Sequence, residues 1–151
     1  MMELKPSRKH TEAGVKMGLD KALEIAVKAH TGQKNKFDGK PYIEHVIRVV
    51  SLALQYGDEY TAIVAALHDV VEDTSVTLND LLWDFPFEIV NAVDRLTRKP
   101  GQTYKEHIIL CKETELSRRV KLEDIIDHLN QIEPKPGMHK RYREAKKILE
   151  S

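Results

Sequence analysis

Apolar residues recur at intervals of three and four along most of this chain, and this spacing limits most of it to helices. Over residues 43–56 the apolar side chains cover most of the helix circumference, which predicts a central helix. Residues 59–71 are almost entirely small or apolar up to His68 and predict another buried helix. Because no segment alternates apolar and polar residues as a half-buried strand does, we predict an all-α fold of about seven or eight helices.

The length of the chain sets the expected domain organisation. A chain of 151 residues suffices for one domain with its own core but not comfortably for two. Residues 1–17 are polar and include Pro6 and Gly14, so we predict a loosely ordered arm there and one domain over residues 18–151. Two capping boxes, at residues 77–80 and 103–106, predict where two of the later helices begin.

Charge and cysteine content argue against several classes of protein. The 24 basic residues balance the 24 acidic residues, whereas a nucleic-acid-binding protein is usually basic. No apolar run approaches the roughly 20 residues that span a bilayer, so we expect no membrane association. The single cysteine, Cys111, excludes an internal disulfide, and residues 1–10 lack the apolar segment of a signal peptide. These features predict a cytoplasmic protein.

Four ionisable residues end the apolar helix predicted over residues 59–71, namely His68, Asp69, Glu72 and Asp73. On a helix, residues four apart share a face, which pairs His68 with Glu72 and Asp69 with Asp73. An imidazole beside a carboxylate binds metal ions, and two further carboxylates could orient a water molecule. The alternative is an acidic, solvated helix end. Burial beside the core weakens that alternative, because ionisable groups there need partners, but the local pattern leaves both interpretations open.

Two further candidates, His45 and Asp124, are not selected by spacing alone. His45 lies away from the main apolar stripe of its helix, where a histidine is more commonly a core or capping residue than a ligand. Asp124 lies opposite the apolar stripe of a helix predicted over residues 116–132, with Asp127 and His128 close by. Periodicity therefore predicts that the Asp124 side chain is solvated.

Four motifs occur in the order found in HD-domain hydrolases of the RelA/SpoT type, which this chain resembles. They are AHTGQ at residues 29–33, GKPYIEH at 39–45, ALHDVVEDT at 66–74 and VKLED at 120–124. The resemblance extends over residues 20–130. The chain length, the LTR stretch at residues 96–98 and Tyr104 make it most similar to the small, single-domain alarmone hydrolases.

The resemblance implies a compact helical HD fold and a divalent metal ion, typically Mn²⁺. The implied ligands are His45, His68, Asp69 and Asp124. This mixture of imidazoles and carboxylates also suits Fe²⁺ or Zn²⁺.

The resemblance also implies a reaction, the removal of the 3′-pyrophosphate from ppGpp or pppGpp to give GDP or GTP and pyrophosphate. Water bound to the metal ion is the implied nucleophile, because a metal ion lowers the pKa of its water. Glu72 and Asp73 are implied to act on that water as proton acceptor or as positioning groups. No segment corresponds to the synthetase domain of long family members, so synthesis of the alarmone is not expected.

The residues expected to bind the substrate depart from the family pattern. Lys34, Lys36 and Lys40 could offset the polyphosphate charge, with a merely solvated loop as the alternative. The family usually has an Arg-Lys pair in this loop, which here is one residue longer than the commonest form. Four residues after Asp124 the family usually has Asn, where this chain has His128. That imidazole could contact a phosphate, bind the metal ion or block the guanosine pocket.

The altered pocket leaves three functional hypotheses. The leading one is a metal-dependent pyrophosphohydrolase that acts on a guanosine alarmone. The second is the same chemistry on another nucleotide, because His128 and the lysine loop differ from the family pattern. The third is a nucleotide-binding module without turnover, which Glu72 and Asp73 argue against because such a module has no need of them. The oligomeric state stays open.

Overall fold

The computed structural model describes residues 12–36, 38–131 and 136–151, and within these ranges the chain is all-α, which confirms the predicted fold class. An isolated β-bridge between Lys34 and Pro41 is the nearest approach to a strand in this part of the chain. None of the helices described combines the length and the apolar character that a membrane span needs. In chain order the helices are α1 (Glu12–Ala29), α2 (Ile43–Tyr56), α3 (Glu59–Leu67), α4 (Val70–Asp73), α5 (Leu78–Leu82), α6 (Phe87–Leu96), α7 (Tyr104–Cys111), α8 (Glu115–Gln131) and α9 (Pro136–Glu150).

Helix α3 lies at the centre of the fold. It packs against α1, α2, α6 and α8, and residues 61–67 are all buried. Asp58 caps this helix, because its side chain accepts a hydrogen bond from the backbone N–H of Thr61 at 2.9 Å. Burying a side chain such as that of Ile63 or Leu67 stabilises the fold by about 1.5–3 kcal/mol. The helix that supplies His68 is therefore firmly held by the core.

Helix α2 is less central than its apolar pattern predicts. Ile47 and Leu54 are 48% and 51% exposed, whereas Val46 and Val49 are fully buried. The buried face also includes His45, which is 1% exposed. The polar contacts of His45, as well as the apolar side chains, therefore determine which face of α2 packs against the core.

The single helix predicted over residues 59–71 is in fact two helices, α3 and α4. The chain leaves helical geometry at Asp69, whose φ and ψ are −111° and 0°. At the same place Nδ1 of His68 donates a hydrogen bond to the carbonyl oxygen of Ala65 at 2.7 Å. The predicted relation between His68 and Glu72 therefore holds across a break and not along one continuous helix.

The helix starts are partly those predicted. Helix α1 begins at Glu12, so residues 12–17 of the predicted arm belong to a helix, while residues 1–11 lie outside the described residues. Gly14 lies inside this helix, because an interior glycine costs only about 1 kcal/mol relative to alanine and does not by itself end a helix. Both predicted capping boxes, which begin at Thr77 and Thr103, are confirmed.

Candidate active site

A cavity of about 350 Å³ lies where α4, α7, α8 and α9 meet the loop between α1 and α2. Its lining brings together side chains of both charges. The acidic ones are Asp69, Glu72, Asp73 and Asp124, and the basic ones are Lys34, Lys36, Arg98, Lys121 and Arg141. A cavity with this lining suits an anionic ligand bound together with a cation.

Three imidazoles converge on one oxygen atom, Oδ1 of Asp124. It lies 2.9 Å from Nε2 of His45, 3.2 Å from Nε2 of His128 and 3.5 Å from Nε2 of His68. His45, His68 and Asp124 each offer a ligand atom within 4.8 Å of the others, and all three are buried. Nitrogen and oxygen donors this close together form a candidate metal site.

The burial of Asp124 contradicts the prediction from periodicity, which placed this side chain in solvent. Asp124 is 5% exposed because α8 is covered by α2, α3 and α9. Lys121, one turn earlier, places Nζ 2.9 Å from Oδ2 of Asp124. Burial would raise the pKa of Asp124, but the Lys121 charge and the hydrogen bonds with His128 and His45 hold that pKa well below its usual range. Asp124 is therefore ionised at neutral pH.

His68 has one ring nitrogen that is satisfied and one that is not. Nδ1 carries a proton, since its partner, the carbonyl oxygen of Ala65, can only accept. Nε2 is buried and makes no hydrogen bond to any described residue, yet it lies 2.9 Å from Oδ2 of Asp69. In the neutral imidazole a lone pair on Nε2 would face the carboxylates of Asp69 and Asp124, and a proton or a metal ion at this nitrogen removes that repulsion. These residues fit a divalent metal ion.

The charges around His68 also favour a positive charge at this position. Burial would lower the pKa of His68, but the neighbouring Asp69 and Asp124 raise it well above its ordinary value. Burial would likewise raise the pKa of Asp69, and the charge of His68 lowers it instead. Tyr42 donates its O–H to Oδ2 of Asp69 and so fixes the orientation of this carboxylate. The site therefore holds its carboxylates ionised and oriented.

Glu72 and Asp73 line the same cavity, on the one-turn helix α4. Glu72 accepts a hydrogen bond on Oε1 from the backbone N–H of Arg98 at 2.7 Å. Partial burial, together with the negative charges of Asp69 and Glu72, raises the pKa of Asp73 to about 6. A carboxylate with a pKa near the working pH is suited to accept a proton.

The residues predicted to bind substrate are divided by the structure. Lys34, Lys36 and His128 line the cavity, whereas Lys40 is not among the lining residues and its side chain is exposed. The loop turns back on itself, because the N–H of Asn35 donates to the carbonyl oxygen of Lys40 at 2.8 Å. The prediction for Lys40 thus receives no support from the geometry.

His128 is the middle ring of a stack in this part of the cavity. Its ring centroid lies 4.6 Å from that of His45, at an interplanar angle of 20°, and 5.3 Å from that of Tyr142, at 6°. Helix α9 supplies Tyr142, and it also places the guanidinium group of Arg141 3.8 Å from the ring centroid of Tyr104. No sequence motif indicates a role for either residue of α9.

A polar stripe on α8 is the signal that could have identified the missed residues. Lys121, Asp124, Asp127 and His128 are separated by three and four residues and so share one face of this helix. Periodicity predicted that Asp124 on this face is solvated, because polar faces of amphipathic helices usually are. Here the face is directed at His45 and the cavity.

The helical fold and its buried cluster of histidine and aspartate are those of an HD domain. A protein-family model described as an HD domain matches residues 22–131, and the chain belongs to this family. The resemblance to RelA/SpoT-type hydrolases is thereby confirmed. One similar solved structure is that of a metazoan ortholog of SpoT that hydrolyses ppGpp, with a TM-score of 0.71 and 25% sequence identity. The match covers 87% of this chain and 83% of that one.

Curated relatives of this chain are much longer than it is. A probable GTP pyrophosphokinase of Mycobacterium leprae is 30% identical over an alignment of 142 residues, and the match covers 87% of this chain and 18% of that protein. A guanosine-3′,5′-bis(diphosphate) 3′-pyrophosphohydrolase of Haemophilus influenzae is 40% identical over an alignment of 86 residues, and the match covers 54% of this chain and 13% of that protein. The chain thus spans less than a fifth of the length of either relative.

Proposed function

We propose that this protein hydrolyses the 3′-pyrophosphate of a guanosine alarmone and converts ppGpp or pppGpp to GDP or GTP and pyrophosphate. The observation that carries the proposal is the convergence of His45 and His68 on Oδ1 of Asp124, beside the carboxylates of Glu72 and Asp73. The similarity to pyrophosphohydrolases and to the metazoan ortholog of SpoT supports the choice of substrate.

In this proposal His45, His68, Asp69 and Asp124 hold a divalent metal ion, Mn²⁺ by preference, with Fe²⁺ or Zn²⁺ as alternatives. When bound, such an ion polarises a phosphoryl oxygen and lowers the pKa of water. The two imidazoles and two carboxylates supply the mixed donor set that these ions accept.

Glu72 and Asp73 act on the attacking water, one by orienting it and the other by accepting its proton. Asp73, with a pKa of about 6, is ionised at neutral pH and accepts that proton. Glu72 is held by the backbone N–H of Arg98 and orients the water relative to the phosphorus atom. The two neighbouring carboxylates therefore have different roles because their surroundings differ.

The basic side chains of the cavity bind the polyphosphate. Lys34 and Lys36 lie in the loop before α2, while Arg98, Lys121 and Arg141 come from three other parts of the chain. Together they offset the charge of a ligand that carries two phosphorylated ends.

The cytoplasmic location predicted from Cys111 and residues 1–10 stays a prediction.

A second candidate is the same hydrolysis on a different nucleotide. The observation that favours it is the ring of His128, which occupies the space between His45 and Tyr142. An imidazole there is bulkier than the asparagine usual in RelA/SpoT-type hydrolases and changes the shape available to a nucleobase. The chemistry at the metal site would be the same.

The test is release of pyrophosphate from ppGpp, and of phosphate or pyrophosphate from a panel of other nucleotides, with Mn²⁺ and with EDTA. We expect release from ppGpp that requires Mn²⁺ and stops with EDTA. The Asp73→Asn variant should release pyrophosphate about 10²–10⁴-fold more slowly, and Asp20→Asn, which changes an exposed carboxylate on α1, should be fully active. Release from another nucleotide alone would support the second candidate. If the metal-loaded protein releases neither phosphate nor pyrophosphate from any nucleotide of the panel, both candidate functions are contradicted.

A further inference from the structure

Asp127 contacts His45 from the side opposite the candidate metal site. Its Oδ2 lies 2.7 Å from Nδ1 of His45, whose Nε2 lies 2.9 Å from Oδ1 of Asp124. The side chains of His45 and Asp127 are 0% and 5% exposed, so water does not compete for this contact. Both ring nitrogens of His45 therefore face carboxylates, which can only accept. A metal ion held by Asp124 would replace the proton on Nε2, whereas Nδ1 keeps its proton and donates it to Asp127.

Arg48 holds Asp127 in place through both carboxylate oxygens. Its Nε donates to Oδ1 at 2.7 Å and its Nη2 donates to Oδ2 at 3.2 Å. Arg48 follows His45 by three residues on α2, so both face the same part of α8. The guanidinium gives the buried Asp127 carboxylate a charged partner that stays in place when Nε2 of His45 gives up its proton to bind a metal ion.

We propose that Asp127 and Arg48 are positioning residues that keep His45 in the tautomer and orientation that direct Nε2 to the metal ion. The inference rests on the proposed metal site. Neither residue is one of the four implied ligands, and no motif in the sequence singled them out. The arrangement of carboxylate, imidazole and metal ion is a common means by which proteins fix a histidine ligand.

The Asp127→Asn substitution separates positioning from simple space filling, because the shape of the side chain is kept. In either orientation the amide N–H meets a donor, because Nε of Arg48 faces Oδ1 while Nη2 of Arg48 and Nδ1 of His45 both face Oδ2. With its nitrogen at Oδ1 the amide loses the bond from Nε and releases Arg48. With its nitrogen at Oδ2 it makes Nδ1 of His45 an acceptor and moves the imidazole proton to Nε2, the position that the metal ion requires. Either orientation weakens the hold on His45.

The experiment is calorimetric titration of the metal-free full chain with Mn²⁺, together with the visible absorption spectrum of the Co²⁺-loaded protein. We expect Asp127→Asn to weaken Mn²⁺ binding by about 10–100-fold and to change the Co²⁺ bands. The matched control is Glu115→Gln, which alters a similar two-contact pair with Arg118 on the exposed part of the same helix. The control should bind Mn²⁺ within about twofold of the unaltered chain.

Mn²⁺ affinity within about twofold for Asp127→Asn, with unchanged Co²⁺ bands, would overturn the positioning role. If that variant does not fold, Arg48→Lys decides the question, because it keeps the charge and loses the two-contact geometry. Weaker Mn²⁺ binding by Arg48→Lys supports the proposal, and unchanged binding contradicts it. Failure of the unaltered chain to bind any metal ion would instead overturn the proposed function, and the inference with it.

Discussion

Nδ1 of His68 donates a hydrogen bond to the carbonyl oxygen of Ala65, 2.7 Å away, at the point where α3 ends. This hydrogen bond links the buried helix α3 to a side chain of the candidate metal site. It fixes the proton on Nδ1 and leaves Nε2, which has no hydrogen-bond partner among the described residues, directed at the carboxylates of Asp69 and Asp124. Because α3 is buried from Thr61 to Leu67, the ring has little freedom to turn away.

The His68→Ala variant should lose both Mn²⁺ binding and activity, since it removes the nitrogen that faces two carboxylates. We expect pyrophosphate release to fall by about 10²-fold or more, and calorimetric Mn²⁺ binding to weaken in parallel. His139→Ala, which changes a histidine of α9 that does not line the cavity, is the matched control and should behave as the unaltered chain does. Tight Mn²⁺ binding by His68→Ala would contradict the assignment of His68 as a ligand.

Asp73 should titrate with a pKa of about 6 in the metal-free protein, as followed by the NMR shift of its carboxyl carbon. Nearby negative charges disfavour ionisation, so Glu72→Gln should move this pKa downward, and so should addition of diamagnetic Zn²⁺. Asp73→Asn should lower pyrophosphate release by about 10²–10⁴-fold with Zn²⁺ or Mn²⁺ affinity largely kept. A titration midpoint in the ordinary range of an aspartate would show that Asp73 is not tuned for proton transfer.

Glu123 should make the protein less stable as the pH rises. Burial raises the pKa of this carboxyl from its ordinary 4.5 to about 7, and its Oε1 has no hydrogen-bond partner among the described residues. The folded state then binds the proton more tightly than the unfolded chain does, so the free energy of unfolding falls as the pH rises from about 4.5 to about 7. Above pH 7 the free energy of unfolding is lower by roughly 1–3 kcal/mol than it is below pH 4.5.

Glu123→Gln removes this titration and should raise the melting temperature at about pH 8, with a flatter dependence of stability on pH. Glu144→Gln, an exposed change on α9, should leave the pH dependence as it is. Thermal unfolding of the metal-free protein across this pH range checks both variants. A Glu123→Gln protein that is less stable at about pH 8 would mean that the carboxylate form has a partner that compensates its burial.

His128→Asn should change substrate preference more than metal binding. The substitution removes the ring between His45 and Tyr142 and opens a space beside Tyr142, on whose face a nucleobase can stack. We expect KM for ppGpp to fall, with Mn²⁺ affinity changed by no more than about threefold. Tyr142→Phe keeps the stacked ring and should leave KM unaltered. Slower ppGpp hydrolysis by His128→Asn at unchanged rates on other nucleotides would instead indicate that His128 itself contacts the alarmone.

The helices and their ends could be predicted from local sequence, because they depend on interactions within one or two turns. The capping boxes at Thr77 and Thr103 are of this kind, since a hydroxyl and a carboxylate three residues apart satisfy the first N–H groups of a helix wherever it lies. The grouping of His68 with Asp69 could be predicted from the sequence for the same reason, since the two residues are adjacent in the chain. The break between α3 and α4 was not predicted, since apolar spacing continues across it.

The all-helical class, the apolar core helix that ends at His68 and, through the motifs, the HD family could all be predicted from the amino-acid sequence alone. Which polar residues are buried depends on how the helices pack against one another. Asp124 and Asp127 form a polar face on α8 that looks solvated in isolation, and packing against α2 turns that face towards His45 and Arg48. Helical periodicity records that a face is polar, but whether the face meets water or a neighbouring helix depends on contacts between residues about 80 positions apart.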